Sequence, residues 1–354
     1  MNAPFEGLPP QPEAQPLLTA ALADPGHAYL FSGPAGTGKR RYAEHFAAAL
    51  LESRLGRIET RAHPDLFVLE AEGGSILIDH ARELRRDLHM RPFEADRRVY
   101  LVFGAHSMNE DASDALLKDL EEPPDYAVVV LVAEELGPLP ETIRSRCQLV
   151  PFRRLPRAAV EGWVVERAPD LPSDEASLLA RVAAGRLDRA ARLLDPDARE
   201  QRAELLRVAR EAYLAPEFDP VAAAGVVGAS TRARGAAART AELELADGLD
   251  LPAREAEQRV RRAEFGAEKE ELLASLEDLA AWYRDLVVVA AGADEPVVHA
   301  DRIAELREDA PGREAGAEAA AGAVRQAWRE AEEFNLNASL LLEALFVRVH
   351  RAFA

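Results

Sequence analysis

Cysteine is almost absent from this sequence, and positive charge is outnumbered. The one cysteine, Cys147, excludes an internal disulfide and any cysteine-rich metal site. It fits a reducing cytoplasm, which is the expected location. Against 43 Lys and Arg stand 62 Asp and Glu, a formal net charge of −19. Bulk electrostatics therefore repel nucleic acid, so any contact with DNA has to come from a local basic face or from helix N-termini. No stretch is apolar enough to cross a bilayer, and the longest candidate, LVVVAAGA after Asp285, is far too short. The opening residues, MNAPFEGLPPQPEAQ, have neither a basic start nor an apolar centre and do not read as a secretory signal. A membrane is not an expected partner.

What remains has the composition of an ordinary globular protein: 354 residues, 48% hydrophobic and 30% charged. That length predicts two or three domains. Through residues 1–152 strand and helix patterns alternate. The predicted strands are Ala28–Gly33, Asp65–Glu70, Arg97–Ala105, Tyr126–Ala133 and Gln148–Phe152. Continuous β-branched runs separated by helices mean a parallel sheet covered on both faces. The piece starting at Ser75 reads as short extended chain and then helix, with Asp79 suited to its N-cap. A further helix, NEDASDALLKDLEE, stops at Pro123 and Pro124.

Beyond Phe152 the pattern is helical. Three short helices are expected over 153–198, and a larger helical domain over 199–354. Leu272, Leu276, Leu279, Tyr283 and Leu286 recur at spacings of four, three, four and three, the stripe of a helix packed on a core. Thr231–Arg262, rich in Ala, Arg and Glu, reads as a long exposed helix or a poorly ordered segment.

The stretch with chemistry in it is GPAGTGKRR, Gly33 to Arg41. Gly33, Gly38 and Lys39 stand where the phosphate-loop pattern G-x-x-x-x-G-K-[S/T] needs them, between a predicted strand and a predicted helix. Gly33, Gly36, Gly38 and Lys39 are therefore the candidate phosphate-binding residues. Where a hydroxyl should hold Mg²⁺ there is Arg40, which has no acceptor. Where an Asp-Glu pair should end the neighbouring strand there are Gly104 and Ala105, followed by His106, which reads as structural. Phosphoryl transfer in such a site depends on those groups for positioning and charge neutralisation. The residues predict no hydrolysis and require no cofactor, while leaving open ATP or ADP as a structural ligand.

The order HAYLFSGPAGTGK, HPDL, RRVYLVFGAHSMNEDASDALLKDLEEPP and LPETIRSRC resembles the clamp-loader branch of the AAA+ ATPases. WYRDLVV and NLNASLLLEALF are similar to the collar domain of bacterial clamp-loader subunits. The resemblance implies an AAA+ parallel α/β domain over 1–152, a three-helix lid over 153–198 and a helical collar over 199–354. Motor subunits of the branch, gamma and tau, keep the Ser/Thr and the Asp-Glu that this chain lacks. The chain is more similar to the non-hydrolysing delta-prime family of the DNA polymerase III holoenzyme. The resemblance then implies a hetero-oligomeric ring with gamma/tau and delta subunits. The sliding clamp would be an indirect partner and primed DNA a weak one.

Other landmarks of the branch have changed here. Its polar sensor falls at Ala133 or Glu134, and its lid arginine aligns with Asp188, one position before Arg189. The zinc module of four cysteines usual before HPDL is missing, so no zinc is expected. By resemblance, Arg146 of SRC is an arginine finger, reaching in trans to a neighbour's ATP; Arg144 is the weaker candidate. Arg82, Arg85 and Arg86 are equally readable as a DNA-facing or a merely solvated helix face. The alternatives are an active motor-type clamp-loader ATPase, and a nucleotide-binding structural or regulatory AAA+ protein outside replication.

Overall fold

The computed structural model describes residues 4–70, 76–134, 136–137, 139–247, 253–294, 296–333 and 337–354. Ser75, at the head of the piece expected to start extended, lies outside the described residues. So do 248–252 within Thr231–Arg262, and 335–336 of NLNASLLLEALF.

In chain order the α/β part runs α1 (Ala14–Ala23), β1 (Ala28–Ser32), α2 (Lys39–Leu50), α3 (Leu55–Glu59), β2 (Leu66–Glu70), α4 (Ile78–Leu88) and β3 (Arg98–Phe103). It continues with α5 (Glu110–Glu121), β4 (Ala127–Ala133), α6 (Glu141–Arg144) and β5 (Gln148–Pro151). The five strands form one parallel sheet in the order β2-β3-β4-β1-β5. The apolar runs alternate across it. Tyr29, Phe31, Val99, Leu101, Val128, Val130 and Val150 pack toward α1 and α2. Leu30, Tyr100, Val102, Val129 and Leu131 pack toward α4 and α5. β1, β3 and β4 are buried on both faces, which is why they read as continuous rather than alternating runs, while the edge strands β2 and β5 are only partly covered. Phe46 of α2, fully buried, meets the Tyr29 ring edge-on at 5.1 Å. A side chain of this kind contributes about 1.5–3 kcal/mol by burial.

Local chemistry sets the ends of these elements. Asn109 caps α5, its side chain accepting the Ala112 N–H at 2.9 Å. Asp79 is not the N-cap of α4, since the helix starts one residue before it and Leu77 takes the cap position. The Leu77 N–H is accepted by His80 Nδ1 at 3.2 Å, so the end is closed without a carboxylate there, and Asp79 pairs with Arg82 instead. The buried Asp65 of HPDL accepts three backbone N–H groups, from Phe93 (2.6 Å), Glu94 (2.9 Å) and Ala95 (2.9 Å). Burial alone would raise its carboxyl, but these bonds and Arg98 hold it below the usual range.

The helical part comprises α7 (Arg157–Arg167), α8 (Ser173–Val182), α9 (Leu187–Leu194), α10 (Pro196–Leu214), α11 (Pro220–Asp247) and α12 (Ala253–Ala290). α13 (Ile303–Asp309), α14 (Glu314–Glu333) and α15 (Ala338–Ala352) follow. The chain divides into two compact units, one of Met1–Leu171 with Ala183–Ala190, the other of Pro172–Val182 with Ala191–Ala354. In the second, Leu276, Leu279, Trp282, Tyr283 and Leu286 of α12 enter one core with Phe346 of α15, so the stripe read from their spacing is packing. Two buried polar ties cross that core. Tyr283 donates to the Ala209 carbonyl at 3.0 Å, and Tyr213 to Asp309 at 2.8 Å. The described parts of Thr231–Arg262 are helical, in α11 and α12.

Candidate functional site

The candidate site is the turn from β1 into α2. Gly36 and Gly38 take left-handed backbone, with φ of +67° and +92°, and Gly38 is the residue that starts α2. A Cβ on Gly33 would lie 2.1 Å from the Phe152 carbonyl, so no larger residue lets β1 pass that close to the end of β5. From beneath, Gln11 ties the turn in place. Its amide donates to the Thr37 and Arg153 carbonyls, each at 2.9 Å, and accepts the Arg153 N–H at 3.0 Å. Gly33, Gly36, Gly38 and Lys39 are thus brought together as the motif predicts, in the strand–turn–helix setting that makes an anion cradle.

The charged groups do not complete that cradle. Lys39 is buried and turned onto the turn itself, donating to the carbonyls of Gly33 (2.6 Å) and Pro34 (2.7 Å). Burial lowers its pKa to about 8, against the charges of Glu134 and Asp188, which favour the ammonium. Arg40 reaches away from the loop. Its guanidinium bonds Glu44 at 3.2 Å, pairs with Glu70 and stacks 4.2 Å from the centre of the Phe103 ring. It lies across the ends of β2 and β3, where a metal-binding carboxylate pair would stand. Gly104 (φ +74°) and the buried Ala105 follow β3 and supply no oxygen side chain. His106 accepts the Glu134 N–H at 3.2 Å, a structural bond. These residues do not fit Mg²⁺-nucleotide.

Arg146 lies apart from the loop, just past α6. It donates to the Thr142 carbonyl at 2.7 Å and pairs with Glu121 at the end of α5. Its side chain is 31% exposed and Glu121 46%, so the pair is at the surface. The neighbouring Cys147 is pushed up to about 12 by burial, which makes it an unreactive thiol. On α4, Arg85 is bonded at 2.7 Å to the buried Asp119, Arg82 to Asp79 at 3.2 Å, and Arg86 to the Arg82 carbonyl at 3.3 Å. Arg82 and Arg85 are thus paired with carboxylates within the chain, and Arg86 with a carbonyl.

Four participants escape sequence reasoning. Gln11 and Arg153 are 142 positions apart, and nothing local announces their bond. Glu121 reads only as part of a helix. Asp188 stands out for the arginine it replaces, not for where its carboxylate goes. A Cβ on Gly36 would lie 1.7 Å from Asp188 Oδ1.

Residues 11–156 match the family model described as DNA polymerase III, delta subunit. Among curated proteins, the DNA polymerase III subunit delta' of Pseudomonas aeruginosa is 37% identical over 201 residues, covering 52% of this chain and 60% of that protein. The subunit delta' of Bacillus subtilis is 33% identical over 185 residues, 49% of this chain and 56% of that one. The Bacillus subtilis subunit tau is also 33% identical over 185 residues, 48% of this chain and 33% of that one. The chain thus spans a little over half the length of the delta' proteins it matches. The equal identities to tau and to the Bacillus subtilis delta' mean that overall likeness does not separate the two types, and the loop chemistry has to. Over residues 11–156, therefore, the chain is similar to the DNA polymerase III delta and delta' subunits.

Proposed function

We propose that this protein is a delta-prime-type ring subunit of a DNA polymerase III clamp loader, one that hydrolyses no ATP itself. In this reading it completes a cytoplasmic hetero-oligomer with gamma/tau and delta subunits. Arg146 reaches a neighbour's bound nucleotide there, for loading of the sliding clamp on primed DNA. The observation that carries the reading is the composition of the loop. Arg40 replaces the metal-binding hydroxyl and is spent on Glu44, Glu70 and Phe103, and Gly104 and Ala105, directly after β3, carry no carboxylate. The guanidinium of Arg146 supplies what such a neighbour lacks, a permanent charge with a planar donor fork. Its surface pairing with Glu121 is of the weak, exchangeable kind, so a phosphate can take the carboxylate's place.

The test is ATP turnover by a loader reconstituted with clamp and primed DNA, with wild type or Arg146→Ala, and with the lone chain as control. The expected result is turnover by the assembly, none by the lone chain, and a sharp loss with Arg146→Ala while assembly persists. Unchanged turnover with the variant rejects the finger. Turnover by the lone chain rejects the non-hydrolysing assignment.

A further inference from the structure

We propose that the Asp188 carboxylate, clipped by Arg186, is a built-in occupant of the phosphate loop: it ties the start of α9 to the loop and keeps ATP and ADP out. This goes beyond the function proposed above, which concerns hydrolysis in an assembly, because it concerns binding by the single chain.

Three observations meet at Gly36. Its carbonyl accepts the Leu187 N–H at 2.9 Å, a main-chain tie between the loop and the first residue of α9. The Asp188 carboxylate lies so close to its backbone that a Cβ there would sit 1.7 Å from Oδ1 and 2.5 Å from Cγ. Arg186 grips that carboxylate with two donors, Nε to Oδ1 at 3.2 Å and Nη2 to Oδ2 at 2.6 Å. A planar fork on a carboxylate fixes direction as well as distance. Gly36 is central in GPAGTGK, the turn whose backbone would have to face a phosphate.

The surrounding charges agree. Burial alone would raise the Asp188 carboxyl, but the Arg186 bond and charge, with backbone N–H groups, keep it below the ordinary range, so it stays an anion. The ammonium of Lys39 is held by two loop carbonyls, with Glu134 and Asp188 as the carboxylates that favour its charge. A phosphate approaching Gly36 would meet a carboxylate already in contact with the backbone, plus a second negative charge from Glu134. The position beside Gly36 is thus taken by a carboxylate from within the chain, held by Arg186 and by the N–H groups of Asp188 and Arg189. The α9 start is therefore held closed whether or not nucleotide is present.

Equilibrium dialysis of labelled ATP and ADP against the full chain tests this, without Mg²⁺ because the metal ligands are missing. Wild type should show no saturable binding at millimolar nucleotide. Asp188→Ala should bind at least tenfold more tightly, and the gain should vanish in Asp188→Ala/Lys39→Ala. If Asp188→Ala does not fold, Asp188→Asn keeps the shape, removes the charge and should gain binding in the same way. Amide exchange at Leu187 should quicken in either variant. Wild type binding as tightly as the variants, or a folded variant that binds none, overturns the proposal. Nucleotide bound by wild type would leave the Arg146 assignment standing, and a loader indifferent to Arg146→Ala would leave this one standing.

Discussion

The phosphate loop and the corner around Arg146 sit on adjacent strands, since β1 and β5 pair directly. At the loop each cation is held by partners within the chain, most of them close in sequence. Lys39 is under its own carbonyls, Arg40 on Glu70 and Phe103, and Arg186 on Asp188. At the corner Arg146 is held by a carbonyl of α6, the short helix just before it, and by one half-exposed carboxylate. Motif matching scores the two places alike. Their surroundings separate Lys39 from Arg146, because a buried, doubly bonded ammonium is locked in place, whereas a surface ion pair contributes only about 0–1 kcal/mol and exchanges readily. Which cation can serve a neighbour depends on how weakly it is held at home.

The largest expected effect sharpens that contrast. Arg146→Lys in the reconstituted loader should lose nearly as much turnover as Arg146→Ala, on the order of 10³-fold at the site it serves. A lysine keeps the charge but not the fork, so wild-type rates with lysine would reduce Arg146 to a simple positive charge. Next is Gly36→Ala, which forces a Cβ into the Asp188 carboxylate at φ +67°. It should destabilise by about 1–3 kcal/mol in urea unfolding. The cost should shrink when combined with Asp188→Ala, because the two changes share one contact. Additive costs would break the link between loop and α9.

The pH dependence follows from Lys39. Its folded pKa, about 8, lies below its ordinary value of 10.5, so between those values the unfolded chain holds more protons. Wild type should therefore gain stability relative to Lys39→Met as pH rises from about 8 to 10.5. Asp188→Asn, by removing a charge that favours the ammonium, should move the Lys39 titration lower still, read by NMR of the side chain. A Lys39 titrating at its ordinary value would mean that it is not buried at the loop. The smallest effect is at the corner. Glu121→Gln should change stability by less than about 1 kcal/mol and should leave loader turnover equal or faster. A large loss of stability would show that Arg146 is held as firmly as the loop cations.

The sheet is largely legible from sequence. The five apolar runs become β1 to β5 with ends shifted by a residue or two, and the signature is least broken in β1, β3 and β4, which are buried on both faces. The glycine turn is legible too, since its backbone demands act through residue type. Asp188 is not, because reading a lost arginine reveals a missing charge and says nothing of where the replacement points. Nor is the α4 cap: Asp79 has the right chemistry, but the chain enters the helix one residue early and His80 closes it. Partners such as Glu121 for Arg146 are set by tertiary packing, which spacing along one chain does not encode.

Gln11 carries a consequence for anyone shortening this chain. Its one amide serves the Thr37 carbonyl and both backbone groups of Arg153. A cut just past it, by protease or by design, removes only a short stretch at the margin. Its damage would surface at the turn before α2 and at the exit from β5, where three backbone groups would lose their partner. The leading segment is thus tied into the sheet domain, and trimming it should register first as faster amide exchange at Arg153.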